Sequence, residues 1–350
     1  MSSPAGNRTA LPPLSGLPLE ELTTALIPLP AYRARQIFKW ISRGIADFTE
    51  MKNLPRSLRE ELAGRFTVYS SAVSAELPDP DGTVKLQIRL ADGAKIEAVL
   101  LADGRERKTA CLSTQAGCPA QCVFCKTGQL GFKRNLSSSE IVEQFLFLRR
   151  IESAISNIVV MGMGEPLLNL AELRRAVSVL TCREGLGLSP RRITVSTCGI
   201  AGGIRDLADN GPRVRLAVSL TAAEENLRGR LMPISVSNPL PALKDSLRYY
   251  QEKGGGRVTL EAALFAGINT HAGAASAMAA FAHGLDAAIN LIPWNPVAGL
   301  EFEGVPLREP AAKEVQEFSR LLEKDGLTVT RRYRKGRSIS GACGQLGSIQ

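Results

Sequence analysis

From Thr109 onward the chain alternates strand-type and helix-type hydrophobic patterns, and nothing else in it restricts the fold as strongly. Apolar runs at 109–113, 157–162, 192–197, 213–220, 258–265 and 286–292 are each followed by a segment with apolar residues at helical spacing, at 137–151, 170–182, 201–209, 239–252, 273–283 and 309–324. A last extended piece, TVTRRY, closes the series. Six strand–helix units in succession require a parallel sheet with helical crossovers, because parallel neighbours cannot be joined by a tight turn. The class is therefore α/β, with a partial barrel and a doubly wound sheet both open. Either architecture binds ligands beyond the carboxyl ends of its strands. The unusual residues fall there: a cysteine cluster after the first strand, GMGEP (162–166) after the second, STCG (196–199) after the third, SLTA (219–222) after the fourth and IPWNP (292–296) after the sixth.

The rest of the chain has a different texture. Residues 1–66 read as a helical accessory module, with LEELTTAL, YRARQIFKWISRGI and LPRSLREELAGRF each carrying apolar residues at helical spacing. Residues 67–105 switch to strand alternation around the turn Ala91-Asp92-Gly93 and read as a β-hairpin extension, which leaves 106–350 as the main domain with a Gly/Ser-rich end. No apolar run approaches the 18 or so residues of a membrane span, and MSSPAGNRTALPPLSG has no apolar signal region. The expectation is a cytoplasmic protein without membrane contact; nothing requires a dimer, so a monomer is expected. Seven cysteines, an odd number, argue for metal or thiol chemistry over a disulfide framework. A formal charge of +9 suits a polyanionic partner and equally a mildly basic enzyme.

The cluster itself reads CPAQCVFC, with Cys118, Cys122 and Cys125. Three thiols leave a metal one ligand short. Structural zinc takes four ligands, and the two histidines, His271 and His283, lie far off in a helical region. A four-iron cluster on three thiolates keeps one iron open for a chelating cofactor. Three core cysteines would be the ordinary alternative, but Gly117, Pro119 and Gln121 break any core periodicity.

Cys118-x3-Cys122-x2-Cys125 is similar to the signature of the radical S-adenosylmethionine (SAM) enzymes. Together with ACLSTQAGCPAQCVFCKTGQLGFKRNLSSSEIVEQ, GMGEPLLN, ITVSTCGI, INLIPWNP and ACGQL, and with YRARQIFKWI and MKNLPRSLREEL near the start, the chain resembles the RlmN/Cfr family of RNA adenine methyltransferases over almost its whole length. The resemblance implies a partial (β/α)6 TIM-type barrel, a 4Fe–4S cluster on Cys118, Cys122 and Cys125, and two SAM molecules per turnover. It further implies that Cys343 carries the methyl group as S-methylcysteine, that Cys111 resolves the RNA adduct through a transient disulfide with Cys343, and that Glu97 is the general base. Gly164, Glu165, Ser196, Ser219, Thr221 and Asn295 match SAM contacts. Taken without the resemblance, Cys111 in TACLST reads as a core strand cysteine, and Glu97 in KIEAVLL reads equally as a solvent-facing residue of an alternating strand.

The implied substrate is adenine C2 in 23S ribosomal RNA and/or tRNA, a carbon too electron-poor to attack a SAM methyl directly. A small-protein electron donor and a disulfide reductant are implied as partners. C2 is inaccessible in a stacked helix, so the nucleotide must be unstacked and its backbone held. Arg331, Arg332, Arg334, Lys335 and Arg337, just before Cys343, suit phosphate contact. The chain departs from the family's usual pattern at Thr221 (usually His), at Cys198 (usually Ser) and at Lys335-Gly336-Arg337-Ser338-Ile339 (usually Arg-Gly-x-Asp-Ile). Two other readings stay open: methylation at C8 or on another RNA, and a non-catalytic zinc-stabilised RNA-binding module.

Overall fold

The structure, a computed structural model, describes residues 11–103, 107–332, 335–336 and 338–347. The N-terminal segment folds as three short helices, α1 (Leu19–Ala25), α2 (Ala31–Ser42) and α3 (Arg56–Arg65). Each starts directly after a proline (Pro18, Pro30 and Pro55), whose fixed φ suits a helix entrance and whose missing N–H costs nothing there. Their inner faces bury Leu22, Ile37, Phe38, Ile41, Leu58 and Leu62.

Three antiparallel strands follow, β1 (Ala72–Pro78), β2 (Val84–Arg89) and β3 (Lys95–Asp103), and β3 pairs antiparallel with β4 (Arg107–Cys111). The extension is thus a meander of three strands that shares its hydrogen bonds with the main sheet. After β4 come a small hairpin of β5 (Gln115–Gly117) and β6 (Phe132–Asn135) with the one-turn helix α4 (Lys126–Gln129) between them, then α5 (Ser138–Ile151). The alternation continues through β7 (Asn157–Val160), α6 (Leu170–Thr181), β8 (Ile193–Thr197), α7 (Ala201–Asn210) and β9 (Arg215–Ser219). It ends with α8 (Glu225–Leu231), α9 (Leu240–Glu252), β10 (Val258–Leu264), α10 (Ala272–Ala282), β11 (Ala287–Pro293), the short strands β12 (Glu301–Phe302) and β13 (Val305–Pro306), α11 (Ala312–Lys324) and β14 (Thr328–Arg331).

The main sheet runs β1-β2-β3-β4-β7-β8-β9-β10-β11-β14, and every pairing from β4 to β14 is parallel. Seven parallel strands in simple chain order exclude the doubly wound alternative, which needs a reversal of order. They also qualify the expected TIM-type barrel. The sheet is open, with β1 and β14 as its edges, and the meander extends the edge where closure would have to occur. Right-handed crossovers in an unreversed order put the helices on one face and leave the other face for the site.

One helix anchors both ends of the architecture. A capping box, in which Ser137 Oγ accepts from the Glu140 N–H and Glu140 accepts from the Ser137 N–H, sets the start of α5. Its Glu143 carboxylate, fully buried, accepts from Ser15 Oγ at 2.7 Å and from the N–H groups of Ser70 and Ser71 at 2.7 and 2.9 Å, tying the N-terminal module to the sheet. Gly16 lies so close to α5 that a Cβ would sit 2.1 Å from the Ser139 nitrogen.

Candidate active site

The first strand ends in a segment held by side-chain amides. Gln144 of α5 accepts from the Ser113 N–H at 2.8 Å and donates to the Ser113 carbonyl at 3.0 Å, while Asn169 donates to the carbonyls of Thr114 and Leu136. The cysteine loop that follows makes backbone links in four directions. The Cys118 N–H reaches Gly131 O, the Val123 N–H reaches Leu231 O at the end of α8, and the Lys126 N–H reaches Gly344 O of the C-terminal segment. The Trp294 indole donates to Phe124 O at 3.0 Å. Gly117 permits the tightest of these approaches, since at φ +77 a Cβ would fall 1.8 Å from Gly131 O.

Cys118, Cys122, Cys125, Gly164, Glu165, Ser196, Ser219, Thr221, Asn295 and Cys343 line one cavity at the carboxyl ends of the strands. Five strand-end loops, the strand β10 and the C-terminal segment meet there, as the strand order requires. Burial pushes the Cys118 thiol up to about 12 and raises those of Cys122 and Cys125; neighbouring thiols add to the rise, and hydrogen bonds from the backbone beside Cys118 and Cys125 oppose it. Thiols in such surroundings ionise only with a compensating cation, which is what an iron–sulfur cluster supplies. Among the described residues no three His, Cys, Asp or Glu side chains converge on a point for a single metal ion. A mononuclear zinc site needs that convergence, whereas a cluster takes its thiolates on separate irons.

The remaining wall suits a polar, charged cofactor. Asn295 donates from Nδ2 to Cys343 O at 2.9 Å, but its buried Oδ1 has no protein partner and calls for a donor from the cavity. Glu165 is fully enclosed and raised by burial, while the N–H groups of Leu167 (3.0 Å) and Cys198 (2.7 Å) and the side chains of Cys198 and Thr197, all hydrogen-bonded to its carboxylate, oppose the rise. Ser196 donates to Glu261 Oε2 at 3.1 Å. Thr221 is held at φ +58, costly for a β-branched residue, by its N–H to Glu261 O and its carbonyl accepting from Asn269. At Gly164, φ is +105 and a Cβ would lie 2.6 Å from the Gln115 side chain, so the protein's own packing demands glycine there.

A second cavity adjoins the first and shares Cys343, Asn295, Met161 and Ile292 with it. Cys111, at the end of β4, lines it together with Cys343, Arg332 and Lys335. Both thiols are free. Burial pushes Cys111 up to about 12, with the Cys343 sulfur adding to the rise and the Arg332 guanidinium opposing it. Glu97 lines neither cavity. It is fully buried on β3, with Lys85 Nζ 3.1 Å from Oε1 and the Gly347 N–H donating to Oε2 at 2.7 Å. Arg331 is exposed on β14, Arg332 turns toward Glu261 (4.0 Å) and Met161, and Arg334 and Arg337 lie outside the described residues.

Two charged residues of the site escaped the sequence reading. Glu261 of β10 lines the first cavity and accepts from Ser196 and Asn290; its signal, one acid in the apolar run VTLEAAL, is the same as that of Glu97. Arg228, wholly buried on α8, donates to the carbonyls of Ser219, Leu220 and Cys198, the turns that end β8 and β9. The short α8 itself was not anticipated.

The family model of the Radical SAM superfamily matches residues 112–273, and that of the ribosomal RNA large subunit methyltransferase N-terminal domain matches residues 14–68. Proteins named dual-specificity RNA methyltransferase RlmN are similar over nearly the full length. That of Treponema denticola is 52% identical across 96% of this chain and 95% of its own, and that of Treponema pallidum 50% identical across 95% and 97%. The crystal structure of a radical SAM methyltransferase from Sphaerobacter thermophilus superposes with a TM-score of 0.91 at 39% identity, covering 96% of this chain and 99% of that one.

Proposed function

Because the chain belongs to the RlmN family of radical SAM RNA methyltransferases, we propose that it methylates adenine at C2 in 23S ribosomal RNA and/or tRNA, through S-methylated Cys343 and a transient Cys111–Cys343 disulfide. Its cofactors are a 4Fe–4S cluster and SAM, two molecules of the latter per turnover, so the zinc-module alternative falls. The observation that carries the reading is Cys343, which lies where the two cavities meet, with the cluster cysteines on one side and Cys111 on the other.

Cys118, Cys122 and Cys125 would hold the cluster, and Glu165, Ser196, Ser219, Thr221, Asn295 and the Gly164 backbone would hold SAM. When bound, these cofactors supply the methyl group and the radical that removes hydrogen from it. Cys343 then presents a sulfur-bound methylene carbon to C2, solving the problem that C2 is no nucleophile. After addition, the adduct would give up one electron to the cluster held by Cys118, Cys122 and Cys125, and Glu97 would take the C2 proton. Cys111 attacks the Cys343 sulfur: an S–S bond forms, the C–S bond breaks, and the electron pair goes to the carbon, which takes a proton and becomes methyl. Arg331, Arg332 and Lys335, with Arg334 and Arg337, are assigned to the RNA backbone, and a cytoplasmic location follows from that substrate.

Nucleoside mass spectrometry of ribosomal and transfer RNA tests this, comparing a strain lacking the protein with strains complemented by wild type or Cys343→Ala. Loss of 2-methyladenosine restored only by wild type is expected. A change in 8-methyladenosine instead would move the reaction to C8 and trace it to Thr221 and residues 335–338.

A further inference from the structure

The β1–β3 meander is a platform for the segment that carries Cys343. Asp81 accepts from the Gly336 N–H at 2.9 Å, and Asp79 accepts from the Ser338 N–H and hydroxyl at 2.9 and 2.7 Å. Deeper in, Lys85 and Glu97 form an ion pair whose side chains are 3% and 0% exposed. Lys85 also donates to Ser340 O at 3.4 Å, and Glu97 Oε2 takes the Gly347 N–H. Among the described residues no hydrogen bond to Glu97 Oε1 is found, and the Lys85 ammonium group lies 3.1 Å from it. The register explains the meeting: Lys85 pairs with Val99 and Val99 with Cys111, so all three stand in one row on one face, with Glu97 two residues along β3. A lysine so buried is retained only at a cost in desolvation, and its contacts among the described residues are to Glu97 and to the Ser340 carbonyl.

We propose that Lys85 is a positioning residue that sets the base and the methyl-carrying segment together, holding Glu97 with one contact and the backbone before Cys343 with another. In this docked form Glu97 is closed off by the segment itself, through Gly347. The base becomes available when Gly347 releases Oε2 while Lys85 keeps the carboxylate in place, so docking of Cys343 and exposure of the base are coupled through one pair of side chains. The inference rests on the reading of Glu97 as base.

Two measurements on the cluster-containing protein decide it. In hydrogen exchange read by mass spectrometry, Lys85→Met is expected to speed exchange in residues 338–347 by about tenfold or more, with Lys85→Arg returning it to within about threefold of wild type. In single-turnover reactions with RNA, Lys85→Met is expected to form the Cys343–adenine adduct and to resolve it about tenfold more slowly, again rescued by Lys85→Arg. Unchanged exchange, or unchanged adduct decay, overturns the proposal. If Lys85→Met alone loses its cluster or fold, Lys85→Met/Glu97→Gln is compared with Glu97→Gln. The amide oxygen introduced by Glu97→Gln still accepts from the Gly347 N–H, so faster exchange in the double variant is expected and equal exchange overturns the proposal. Should wild type form no adduct on any RNA, the reaction reading fails while the exchange experiment still decides whether Lys85 docks the segment.

Discussion

Cys111 shows how much of a residue's chemistry is set by its neighbours. In sequence it is an ordinary strand cysteine. In the fold, burial pushes its thiol up to about 12 against an ordinary value of 9.0. Between about pH 9 and 12 the unfolded chain gives up this proton and the folded chain keeps it, so stability falls as pH rises, by up to about 1.4 kcal/mol per pH unit. Urea midpoints measured across that range should therefore decline less steeply for Cys111→Ala than for wild type; parallel slopes would mean that the thiol is not held protonated. The cysteine triplet was legible because three thiols within eight residues need no tertiary information. Arg228 and Glu261 were not, since a lone charge in a short helix or an apolar strand has no pattern to mark it, and only the converging strand ends reveal what it touches.

At the scale of elements, α5 joins the N-terminal module to the cysteine loop, and Gln144 carries the second of those links. Gln144→Leu leaves the buried Ser113 N–H and carbonyl without partners, a loss of at least about 2 kcal/mol. Thermal unfolding should show it, and iron bound per chain after reconstitution should fall, because Ser113 leads directly into the loop that ends at Cys118; an unchanged midpoint would place the restraint elsewhere. The strands and helices of the alternating region were readable to within a few residues, since β7 through β11 are apolar runs and the helices between them carry one apolar face. The short α4 and α8 were not, being held by contacts of the cysteine loop and of the β9 end and not by their own periodicity.

For the whole molecule, charge sets the terms of RNA binding. A chain of formal charge +9 that grips phosphates must lose affinity linearly in log salt, and Arg331→Ala should reduce that slope by about 0.7 to 0.9 while lowering affinity for all RNA sequences alike. A slope unchanged in filter-binding titrations would remove Arg331 from the phosphate contacts. The α/β class, the positions of the alternating strands and the grouping of three cysteines were determined by sequence alone, because hydrophobic period and close cysteine spacing are carried by residues adjacent in the chain. Only the tertiary structure decided that the sheet stays open, that the meander joins its edge, and that the C-terminal segment crosses it to lay Cys343 between the cluster loop and Cys111. Those outcomes rest on hydrogen bonds and burial between residues far apart in the chain, and no local pattern encodes which distant partner a strand edge or a carbonyl will find.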